Sequence, residues 1–72
     1  MLNYDVFITW SEEDKAYIAS VPEFAGCIAD GETREEAFHN LEIVAQEWIE
    51  TAKEHGRDIP KPKKKNEYAF LA

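Results

Sequence analysis

Cysteine is all but missing from this chain, and its scarcity excludes two common ways of holding a small domain together. Cys27 stands alone, so no intrachain disulfide can form, and no Cys/His cluster has zinc-site spacing. His39 and His55 fall sixteen positions apart on the helix predicted below, too far to share a metal. Long hydrophobic runs are missing as well. None approaches the ~20 residues that cross a bilayer, and no secretory signal pattern is visible. The cytoplasm is therefore the expected compartment. Glycine is rare and isolated, at Gly26, Gly31 and Gly56, which leaves no Gly-rich loop to cradle a phosphate. No internal repeat occurs.

Basic residues are also few, with eight Lys/Arg against fifteen Asp/Glu and a net charge of −7. The imbalance is uneven. Residues 1–54 hold thirteen acids and three bases, whereas residues 55–66 hold one acid and five bases. An acidic body argues against nucleic acid, whose phosphates need clustered cations. It suits a basic partner steered by charge. Residues 1–72 are read as a single domain. Domains of this size bury only about 60% of their unfolded surface. With disulfides and metals excluded, self-association is the remaining aid to stability, and a homo-oligomer is expected.

The pattern along the chain predicts an α+β domain in the order β-β-β-α-β. Tyr4 to Trp10 alternates, with Tyr4, Val6, Ile8 and Trp10 on one side and Asp5, Phe7 and Thr9 on the other. Ser11 to Asp14 is a polar hairpin connection. Ala16 to Val21 is a second strand, with Tyr17, Ala19 and Val21 on one face and Ile18 and Ser20 on the other. Pro22 stops it. Cys27 to Ala29 starts a third strand, and Asp30-Gly31 reads as a turn. Thr33-Arg34-Glu35-Glu36 is a capping box in which Thr33 and Glu36 would each bond the other's amide. From there Ala37, Phe38, Leu41, Val44, Ala45, Trp48, Ile49 and Ala52 form one apolar stripe at helical period. Gly56 is the expected stop, giving a helix from about Arg34 to about His55. Residues 57–66 are a basic, proline-containing linker, and residues 67–71 a terminal strand.

The same residues offer few candidates for catalytic chemistry. A two-metal nuclease needs three or four converging carboxylates, for which Asp5, Asp14, Asp30 and Glu32 are the candidates. Turn and cap roles account for the last three, and Asp5 falls on the less apolar face of its strand. Cys27, beside Ile28 in a predicted strand, reads as a small buried hydrophobe rather than a nucleophile. His39 sits on the polar side of the helix. The Lys61–Lys65 run reads as a solubilising linker, or as a counter-charge for an acidic helix on a neighbouring subunit. No catalytic residue, metal or cofactor is expected.

Several segments in fixed order carry a family likeness. They are Tyr4-Asp5-Val6-Phe7-Ile8, Glu12-Glu13-Asp14 and Ala16-Tyr17-Ile18-Ala19-Ser20-Val21-Pro22-Glu23. Gly26-Cys27, Ala29-Asp30-Gly31-Glu32-Thr33 and Glu35-Glu36-Ala37 follow. Over nearly its whole length the chain resembles the HicB family of antitoxins. The resemblance implies a degenerate, partial ribonuclease H-like fold without nuclease activity. It also implies a partner, HicA, a small basic toxin that cleaves messenger RNA and whose active surface the antitoxin covers. Many members of the family continue into a DNA-binding domain. Nothing after Gly56 here fits one, so DNA binding by this chain is not expected. Two other readings stay open: a solitary oligomeric binding module without a toxin, and a metal-dependent nuclease.

The residues expected to meet a partner are Glu12, Glu13, Asp14, Glu23, Asp30 and Glu32, all in or beside predicted loops. Tyr17 and Phe24 are the expected aromatic anchors among them. For self-association the candidates are Ile43, which lies off the apolar helix stripe, and Tyr68, Phe70 and Leu71 of the terminal strand.

Overall fold

Alternating residues and a single helical stripe give one sheet and one helix, described over residues 3–62 in the computed structural model of the chain. Strand β1 is Phe7–Ser11, β2 is Ala16–Ser20, β3 is Ile28–Gly31, and helix α1 is Arg34–Glu54. The strands form an antiparallel sheet in the order β1-β2-β3. Ser11 pairs with Ala16 at the closed end of the first hairpin, and Trp10 pairs with Tyr17. Tyr17 and Ile18 pair onward with Gly31 and Asp30. The arrangement is the expected α+β order through α1. The terminal strand expected at 67–71, with Tyr68, Phe70 and Leu71, lies outside the described residues.

Several strand boundaries depart from the sequence reading, two of them by more than one residue. β1 begins at Phe7, so Asp5 precedes the strand rather than sitting within it. β3 extends through Asp30 and Gly31, which sequence reasoning had assigned to a turn. The reason is packing. Gly31 is buried where the first turn of α1 crosses the sheet, and a Cβ there would come within 2.8 Å of the Glu36 carbonyl carbon. The glycine gives clearance for the helix, not freedom for a turn.

The β2–β3 connection is built from two successive tight turns. The Phe24 amide donates to the Val21 carbonyl at 3.1 Å, and the Cys27 amide to the Phe24 carbonyl at 2.9 Å. Pro22 occupies the second place of the first turn, where its fixed φ fits. Gly26, at φ +78°, occupies the third place of the second, which needs positive φ. These turns swing Phe24 back under the helix.

The Thr33 hydroxyl caps α1 by accepting the Glu36 amide at 3.0 Å. The return arm differs from the expected box, since the Glu36 carboxylate accepts from the Glu32 amide at 3.1 Å rather than from Thr33. At the far end the Gly56 amide donates to Lys53 and the Arg57 amide to Ala52, with Gly56 at φ +63°. That is a Schellman stop. Asn40 ties the helix to β3 through the Asp30 carbonyl at 2.8 Å.

The core lies between α1 and one sheet face: Ala19, Val21, Phe24, Cys27, Ala37, Leu41 and Ala45 are buried together. Alanines at the contact let the helix sit close. Phe24 supplies the largest payload, about 1.5–3 kcal/mol for a side chain of this kind, and is 1% exposed. Its ring stacks on Trp48 and tilts against Tyr4. Tyr4 also donates to the Pro60 carbonyl at 2.6 Å, and Ile59 packs on the core, so the chain beyond the helix returns to the start of β1. No described helix is long and apolar enough to cross a membrane.

Candidate partner-binding surface

The strand register brings two loops to one end of the molecule. The hairpin tip, residues 12–15, follows Ser11, and the β3–α1 junction follows Gly31, the partner of Tyr17. Glu12, Glu13, Asp14, Asp30 and Glu32 therefore share this end, all exposed. Including Glu35 and Glu36 of the first helical turn, seven carboxylates face two cations, Lys15 and Arg34.

Local bonds hold the tip in shape. The Ser11 hydroxyl donates to Asp14 at 2.9 Å and accepts the Asp14 amide at 3.2 Å. Glu12 pairs with Lys15 and accepts the Trp10 indole N–H at 2.7 Å. Lys15 foremost, then Trp10, holds the Glu12 carboxyl below its ordinary pKa. Lys15 itself sits at φ +52°, a left-handed position that L side chains enter at a cost. One of the two local cations is thereby occupied.

Beside these acids is a ladder of flat groups. Trp10 meets Tyr17 edge-on with centroids 5.1 Å apart, and the Arg34 guanidinium lies 4.7 Å above the Tyr17 ring. Tyr17 is half-buried, while Trp10 is 49% exposed. The alternation places Trp10 on the same side of its strand as Val6 and Ile8. α1 starts at Arg34, however, so the end of β1 projects past full helical cover. Counting back from the Ser11–Ala16 closure reveals the Trp10–Tyr17 pair, and that count was the available signal. Arg34 carried no signal beyond its place in the capping box.

Two expected contact residues belong elsewhere. Phe24 is not an exposed anchor. Its turn folds it into the core, at the opposite end of the sheet from the hairpin tip. Glu23, beside it, is half-buried, and both its carboxylate oxygens are shielded from solvent with no hydrogen-bond partner among the described residues. Neither joins the acidic end. Asp5 also lies away from it, before β1, so the four nuclease candidates are divided between the two ends. Among the described residues no group of three or more His, Cys, Asp or Glu is placed to hold a metal. Cys27 is buried and burial pushes its thiol pKa up, which suits the packing role expected for it. Ile43 stands 50% exposed on α1.

The fold is that of a small α+β protein, one helix on a three-stranded antiparallel sheet, with an acidic end bearing exposed aromatic surface. The family described as HicB-like antitoxin of bacterial toxin–antitoxin systems matches residues 4–70, and the chain belongs to it. A UPF0150 protein of Synechocystis is 39% identical over 59 residues, covering 82% of this chain and 80% of the relative. A UPF0150 protein of Thermoplasma acidophilum is 37% identical over 60 residues, covering 83% and 86%. No solved structure matches with comparable significance. Membership of an antitoxin family implies a toxin partner in general terms and points to a role without catalysis.

Proposed function

We propose that this chain is the antitoxin of a cytoplasmic toxin–antitoxin pair, binding a small basic HicA-type toxin and covering the surface with which it cleaves messenger RNA. The observation that carries this reading is the meeting of carboxylates from two separate loops beside Trp10 and Tyr17. Clustered exposed acids raise the encounter rate with a cationic protein and repel the phosphates of RNA. Aromatic surface within a charged rim supplies the contact that holds once the encounter is made. The chain therefore competes with RNA for the toxin by offering the same sign of charge.

The test is co-expression of this chain with the basic toxin encoded beside it. Restored growth together with direct binding supports the reading. Failure of both, or the lack of any such neighbouring gene, favours a solitary, self-associating HicB-like module, with exposed Ile43 as its described contact candidate.

A further inference from the structure

The sheet has a second face that no element covers among the described residues. Phe7, Ser20 and Ile28 form one cross-strand row on it, and Thr9, Ile18 and Asp30 the next. Phe7 is 60% and Ile28 57% exposed. Side chains of this size, contiguous on one face, mark a contact surface rather than scattered surface apolarity. Between Ile18 and Ile28 is a depression of about 260 Å³, bounded by Asp14, Ala29 and Asp30.

Two observations say what fits there. The first is charge: both ionisable groups lining the depression are acids. The Asp30 carboxylate has no hydrogen-bond or ion-pair partner among the described residues, while its backbone carbonyl accepts from Asn40. Of the nearest bases in sequence, Lys15 is paired with Glu12 and Arg34 lies over the Tyr17 ring. The second is size. Three strands of four or five residues present a plane of roughly 250 Å² from ordinary strand spacings, whereas a stable complex buries about 800 Å² on each partner. A second copy would have to find most of its contact elsewhere while setting like-charged rims against each other. A basic partner meets no such repulsion, and it makes up the remaining area on the adjoining acidic end.

We infer that this open face is the apolar half of the partner interface, receiving an amphipathic segment of a cationic protein. An aliphatic or aromatic side chain of that segment enters the depression between Ile18 and Ile28, and its Lys or Arg reaches Asp14 and Asp30. The inference rests on the toxin-binding reading above and deepens it. Asp14 and Asp30 belong to both surfaces, so the acidic end steers the partner and the adjoining sheet face holds it. The division of labour has a kinetic signature, because rim charges act on association and buried apolar contacts on dissociation.

The probe is the inactivated HicA-type toxin, and the variant is Phe7→Ser with Ile28→Ser, both at exposed positions and neutral in charge. Dissociation should speed up about tenfold or more, with the association rate and its salt dependence within about twofold of wild type. Unchanged dissociation overturns the open-face assignment while leaving the toxin-binding reading intact. Lack of binding by wild type overturns both. A second measurement does not depend on how the variant folds. Carboxyl labelling of the wild-type complex should show Asp30 protected relative to the free chain, and equal labelling overturns the assignment. Conversion of a wild-type dimer into a monomer by the variant would give the face to a second copy and overturn it as well.

Discussion

The indole of Trp48 lies flat on the ring of Phe24, with centroids 4.2 Å apart and planes 5° from parallel. The indole N–H donates to the Ala25 carbonyl at 3.0 Å, so one side chain secures both the core and the β2–β3 turn. Trp48→Ala should destabilise by about 3 kcal/mol, the low end for a large aromatic because Trp48 is half-exposed. Trp48→Phe keeps the stack and loses the hydrogen bond, for about 1 kcal/mol. Denaturant melts measure both. Equal losses from the two variants would mean that the hydrogen bond, not the stack, carries the effect.

Gly31 gives a sharper steric prediction. A methyl group there meets helix backbone, at Ala37 N and Glu36 C, which cannot rotate away. Gly31→Ala should therefore cost about 1–3 kcal/mol as overpacking. Gly26→Ala meets nothing within 4 Å among the described residues and suffers from its positive φ, a penalty of about 1–2 kcal/mol. Thermal melts compare them. A harmless Gly31→Ala would show that the first turn of α1 does not press on β3.

The hairpin tip couples backbone strain to a titration. Lys15→Gly relieves a left-handed lysine, a gain of up to about 1 kcal/mol, and gives up an exposed ion pair of little worth. The same change removes the main reason for the low Glu12 pKa, so that pKa should rise toward the ordinary carboxylate value. Because the folded pKa is depressed in wild type, Glu12 favours the folded state above the unfolded carboxyl pKa. That support is lost as pH falls through the folded value. The variant should show less of this acid-side dependence. Carboxyl-resolved NMR titration checks the shift, and an unmoved Glu12 would contradict the assigned cause.

Much of the fold was legible because each junction is marked by a residue with a single good reason to be there. Pro22 ends pairing, Thr33 caps the helix, Gly56 stops it, and the apolar stripe from Ala37 to Ala52 gives the packed face. The readings failed where tertiary packing gives a residue its reason. Asp30-Gly31 looks like a turn until the helix is laid across it. Phe24 looks exposed in a short polar connection until two consecutive turns carry it inward. The acidic loops were each visible in the sequence, but their meeting depends on strand register. Glu23 was grouped with them by charge and separated from them by position. Trp10 and the open face of Phe7, Ile18 and Ile28 depend on where the helix does and does not cover the sheet.

The central claim is that carboxylates gathered at one end steer a basic toxin to this chain. Stopped-flow association kinetics at several salt concentrations test it most directly, comparing wild type with Glu12→Lys/Glu13→Lys/Asp14→Lys. The account predicts an association rate about tenfold lower for the variant at low salt, a gap that closes as salt screens the charges, and a dissociation rate nearly unchanged. Equal association rates and equal salt slopes for the two proteins would contradict it.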